Sequence, residues 1–189
     1  MKAVTLAEHA PDPGWRPLGL PGWRCDHLLW PRRADGEAGP PAATVAALAA
    51  ALGGVAETLF LAEATQAPRR LAAPWSLRRQ GAPAAIGLVR TRDPALIATL
   101  FDQPGFDWTQ RGQMVWLFPP DAPPCADAEI LATLAEDPPA VLPAACTGLL
   151  RPGTDGDFAE LATRDAALRA SLLAALAQGG MRRGGTAER

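Results

Sequence analysis

The sequence contains no tyrosine, a single lysine (Lys2) and only two histidines, His9 and His27. So few imidazoles leave little material for acid–base chemistry near neutral pH, where histidine is the usual carrier. The three cysteines, Cys25, Cys125 and Cys146, are odd in number and widely separated, and no C-x-x-C occurs. That spacing supports neither a disulfide framework nor a zinc ribbon. Long hydrophobic runs are also missing, because Pro, Gly, Arg or an acid interrupts each apolar stretch before it reaches bilayer length. Residues 1–9 hold no apolar signal core, so a cytoplasmic location and no membrane partner are expected. There is no P-loop, no G-x-G-x-x-G after a strand, no G-x-S-x-G and no H-E-x-x-H. The commonest nucleotide-binding, hydrolase and metalloprotease signatures are thereby absent.

What is present is enough apolar material for a core: 48% of the 189 residues are hydrophobic and 20% charged. This suits one domain with appended segments. The 20 prolines, 18 glycines, abundant alanine and near-exclusive use of Arg for Lys match a GC-rich coding sequence. The arginine excess alone is therefore not a nucleic-acid signature. Its distribution says more. Residues 66–111 carry a net charge of +4 and residues 112–160 a net charge of -7, within a total of -2. Such stretches usually form solvated or mutually facing surfaces, and a basic one can also receive an acidic partner.

Along the chain, residues 1–22 read as a Pro/Gly/Trp-rich arm in which Pro13-Gly14-Trp15-Arg16 recurs as Pro21-Gly22-Trp23-Arg24. A strand is expected over 23–30. Pro40 and Pro41 then open an Ala-rich helix that Gly53-Gly54 ends. Short apolar runs at 55–63, 84–90 and 113–118 read as strands. Asp93-Pro94 starts a helix over 93–103, with Asp as the cap and Pro in the first turn. Helices are also expected over 126–136 and 157–177, the latter capped by Asp157 and Glu160. The order predicts an α+β fold: a ferredoxin-like split β-α-β sheet of four strands with two helices on one face, plus two additional C-terminal helices. The implied organisation is an arm (1–22), a sheet domain (23–120), a helical extension on the same core (121–178) and a flexible tail (179–189).

Two constellations bear on function. Cys25 and His27 alternate along the first strand and point to one face, beside Asp26. A reactive thiol or half a metal site could be built there, but two ligands at i and i+2 do not complete a site. Asp155, Asp157 and Glu160 lack the twelve-residue spacing of a calcium loop and suit helix capping instead. No metal and no cofactor is expected. The connection 64–82 is long for a small domain, and such connections tend to be functional. It holds Arg69, Arg70, Trp75, Arg78 and Arg79, and Trp and Arg are the types most enriched in interface hot spots. The reading is a non-catalytic protein-interaction module, an accessory, adaptor or regulatory subunit, that uses these five residues to bind another protein. The alternatives are a small ferredoxin-like enzyme built on Cys25 and His27, and a nucleic-acid-binding accessory protein using the Arg-rich 66–92 region. Acidity at 112–160 and the lack of aromatics in 84–90 weigh against the last.

Overall fold

Alternation along the central strands divides the interior into two apolar layers. Val115 and Leu117 face one layer while Trp116 and Phe118 face the other, and Leu150 and Leu161 are likewise opposed to Leu149 and Ala162. Successive side chains on a strand point to opposite sides, so the sheet lies between the two layers. This computed structural model describes residues 19–31, 33–36, 39–55, 57–63, 75–78, 85–102, 115–123, 125–133, 142–153 and 158–188.

The fold is mixed α+β, with antiparallel pairing throughout. Its elements are β1 (Arg24–Leu29), α1 (Ala42–Val55), β2 (Glu57–Glu63), β3 (Trp75–Arg78), β4 (Ala85–Thr91), α2 (Pro94–Phe101), β5 (Val115–Phe118), α3 (Asp127–Thr133), β6 (Gly148–Pro152), β7 (Phe158–Thr163), α4 (Ala166–Gln178) and β8 (Arg182–Glu188). The strand order is β3-β4-β2-β5-β6-β7-β1-β8. Every residue of β5, β6 and β7 is buried.

Helices α1, α2 and α4 share one apolar layer. Leu48 and Leu52 of α1, Ile97, Leu100 and Phe101 of α2, and Leu168, Leu172 and Leu176 of α4 pack with Leu28, Leu117, Leu150 and Leu161 of the strands. Local chemistry sets the helix ends. Pro41 O accepts from Thr44 N and Val45 N at the start of α1. The Asp93 carboxylate accepts from Ala95 N at 2.9 Å, with Pro94 in the first turn of α2. The Asp165 carboxylate accepts from Ala167 N and Leu168 N at 2.8 and 3.0 Å. Gly53 lets α1 approach the start of α2, because a β-carbon there would lie 2.7 Å from the Arg92 carbonyl oxygen.

The four strands and two helices expected at 23–118 all exist, and α1 and α2 lie on the same face. The sheet differs in three ways. The expected strands are not contiguous, since β6 and β7 separate β5 from β1. Residues 158–163, expected as the first turns of a helix, form β7, and α4 starts at Ala166 behind the Asp165 cap. Glu160 serves in an ion pair across the sheet and not in a capping box. Residues 182–188, expected as a flexible tail, are β8, paired with β1. Pairing with distant strands outweighs local turn and capping signals in each case. The helix expected over 126–136 is described as α3, and the N-terminal arm up to residue 18 lies outside the described residues.

Leu172 is fully buried between α4 and the sheet. Leu172→Ala should lower unfolding stability by about 2–5 kcal/mol through lost packing and a residual cavity. Exposed Ala174→Ser should change it by less than about 0.5 kcal/mol. Urea denaturation of the two variants checks the contrast.

Candidate partner-binding edge and the buried charge pairs

The residues expected to bind a partner fall at one end of the sheet. Trp75 and Arg78 are the first and last residues of β3, the terminal strand of the order. Its ladder with β4 runs Trp75↔Leu88, Ser76↔Gly87, Leu77↔Ile86 and Arg78↔Ala85. Among the described residues β3 has no strand on its other side. Edge strands present unpaired amide and carbonyl groups, a template for pairing with another chain. Arg69, Arg70 and Arg79 lie outside the described residues. What sequence reasoning took for an irregular connection thus contains a short strand, whose four residues give too brief a pattern to register as one.

Arg90 follows on β4. Its guanidinium donates to Ala122 O at 2.7 Å and Pro123 O at 3.0 Å and stands 5.0 Å from the centre of the Phe118 ring. It holds the segment after β5 against the sheet.

Cys25, Asp26 and His27 are all buried on β1. Cys25 packs among Trp23, Trp116, Leu149 and Ala162 on the face away from the helices. His27 is on the same side by alternation, its ring meeting Phe158 edge-on at 4.5 Å. A β-carbon on Gly184 would come within 2.3 Å of His27 Nδ1, so the backbone of β8 closes directly over the imidazole. Asp26 faces the helices. Arg169 of α4 donates to it twice, at 2.6 and 2.5 Å, and Arg183 of β8 lies 3.9 Å away. This bidentate pair ties the first strand to the last helix, 143 residues apart. A second buried pair joins Arg151 of β6 to Glu160 of β7, with Nε and Nη2 donating to Oε2 at 3.3 and 2.9 Å. Glu160 is also the ladder partner of His27. Sequence reasoning missed both pairs, and no local spacing could have shown them. Among the described residues, no group of three or more His, Cys, Asp or Glu is arranged to hold a metal ion.

Cys125 and Cys146 join the same apolar layer as Cys25. Burial pushes the Cys146 thiol up to about 12. Burial also raises Cys125, opposed by the positive charge of Arg90. Neutral thiols are poor nucleophiles. A groove of about 270 Å³ opens where Pro119 and Pro120 meet the start of α4, with Thr147, Asp165 and Ser171 in its wall. Asp165, the carboxylate among its described lining residues, already caps the helix.

No family model matches the chain, and neither any curated protein nor any solved structure matches it.

Two outcomes follow from the buried groups. Glu160→Gln should strongly destabilise the fold, by about 3–5 kcal/mol, because it removes the carboxylate charge that faces buried Arg151 across the ladder. Arg151→Met with Glu160→Leu should recover most of that loss in thermal unfolding. The Cys146 thiol is held protonated by the fold, so its contribution to stability is complete below the ordinary value of 9.0. That contribution is lost as the pH rises from there toward about 12. Unfolding curves of wild type and Cys146→Ala across this window should show a shallower alkaline fall in the variant.

Proposed function

We propose that the chain is a non-catalytic protein-interaction module, an accessory, adaptor or regulatory subunit of a cytoplasmic complex, and that it binds its partner through β3. The observation that carries this reading is the position of Trp75 and Arg78 on a terminal strand with one open side among the described residues. Main-chain groups on such an edge give affinity without a preformed pocket, and flanking side chains select the partner.

A further feature supports a binding role over a catalytic one. The polar groups of β1 that could do chemistry are buried and engaged in holding the fold: Asp26 with Arg169, and His27 against Phe158 under Gly184. We read the strand order as a ferredoxin-like plan in a form different from the one first expected, a plan that by itself favours neither role. Strands β6-β7-β1-β8 with α1 and α4 on one face follow the split β-α-β arrangement, and β2 to β5 enter as an insertion after α1. In this plan the insertion extends the sheet and ends in β3. Among the described residues no helix is long and apolar enough to cross a membrane.

The test is co-purification from the native host followed by mass spectrometry. Wild type should retain a stoichiometric protein partner. Trp75→Ala with Arg78→Glu should lose it with the melting temperature nearly unchanged. Retention of the partner by the double variant, or its loss only together with a fall in melting temperature, would refute the edge as the binding element.

A further inference from the structure

The sheet has two ends, and they differ. At the β8 end the ladder with β1 shifts register between His27 and Leu28, with Gly184 as the extra residue. Gly184 is held there by the His27 ring beneath it, where no β-carbon would fit. A bulge disrupts the regular spacing of outward main-chain groups and blunts an edge against further pairing. At the other end the β3–β4 ladder runs from Trp75↔Leu88 to Arg78↔Ala85 without a shift. Of the two termini, β3 keeps the regular backbone that another strand can match.

Charge distinguishes the ends further. Residues 63–93, which contain the β3–β4 pair, include six arginines against two acids, Glu63 and Asp93 at its ends. Arg90 is committed to the Ala122 and Pro123 carbonyls and to Phe118. Arg78 is on β3 itself, and Arg92 is exposed just past the end of β4. An incoming strand therefore approaches a stretch of net positive charge, which favours an acidic chain over a basic one.

We propose that the partner contributes an extended acidic segment that adds to β3 as a further strand of the sheet. This rests on the reading of β3 as the partner-binding edge and specifies what that edge takes. Because β3 has only four residues, it offers few outward main-chain groups. Much of the affinity then comes from charge, and binding weakens with salt.

The experiment titrates the full chain into fluorescein-labelled peptides and reads anisotropy. The probes are a seven-residue alternating glutamate–valine peptide, its lysine–valine counterpart, and the acidic peptide with alternate backbone amides methylated. The acidic probe should bind at least about tenfold more tightly than the lysine probe, as expected when like charge is placed against like. It should weaken as salt is raised, and lose affinity about tenfold or more with Arg78→Glu. Methylation, which keeps the charge and removes the amides needed for strand pairing, should weaken binding about tenfold or more. Equal binding of the methylated probe would overturn strand addition. A single-stranded oligonucleotide of matched charge that displaces the acidic probe as readily as unlabelled peptide would overturn the choice of a peptide. If Trp75→Ala with Arg78→Glu loses the native partner but the acidic probe binds no better than the lysine probe, the edge stands and the acidic strand falls. If that variant keeps the native partner, the edge itself falls.

Discussion

A strand covered on both faces can carry a charge only if a neighbour neutralises it within the same dry layer, and this governs the middle of the sheet. β5, β6 and β7 are buried along their whole length. The charges in this stretch are Arg151 and Glu160, and they are joined to each other. Neither could remain without its partner, since an uncompensated ion in low dielectric costs several kcal/mol. The pair also specifies register: it forms only when Arg151 is opposite Glu160 in the β6–β7 ladder, and a slip by one residue would turn one charge into the opposite layer. The Asp26–Arg169 pair acts in the same way between layers, setting α4 against β1.

From that arrangement the rest of the molecule follows outward. One side of the sheet receives three helices with leucine-rich inner faces. The other is covered by Leu20, Trp23 and the segments around Ala122, Leu142 and Ala145. Glu129 of α3 fastens this second cover by accepting from Ala126 N and Ala144 N at 3.1 and 3.3 Å. Cys146 lies within this second layer, and burial there pushes its thiol up to about 12.

Much of the fold was legible where local signals and tertiary demand agree. The Asp93-Pro94 start of α2, the double proline before α1 and the apolar runs of β2, β4 and β5 carry their structure in a few adjacent residues. The signals failed where pairing partners are remote. Phe158 to Thr163 resembles a helical turn with acids at its head, and only β1 and β6 on either side make it a strand. Gly184 and Gly185 look like linker residues, yet they belong to β8, where Gly184 leaves room for an imidazole. The candidate site was legible in part: composition singled out the segment around Trp75 and Arg78, while its edge position depends on a strand order no local pattern contains. Of the polar residues noticed on β1, Cys25 and His27 drew attention for their chemistry, and Asp26 proved the one that joins distant elements.

The pairing of β1 has a consequence for the order of assembly. Its two neighbours are β7 and β8, at least 129 and 153 residues later in the chain. During synthesis the first strand therefore leaves the ribosome without either ladder partner, and it can pair on one side only after β7 has followed and on the other only after β8. The segment from β2 to β5 is different, because its four strands are neighbours of one another and come from consecutive sequence. That block can reach its own pairing while β1 waits. Contacts of long sequence separation form late and slowly. Closure of the sheet around β1 thus comes after the β2–β5 block is made, and until then Leu28 lacks the strand β7 and the helix α4 that pack with it. Apolar surface left uncovered in that interval is the kind that favours aggregation over folding.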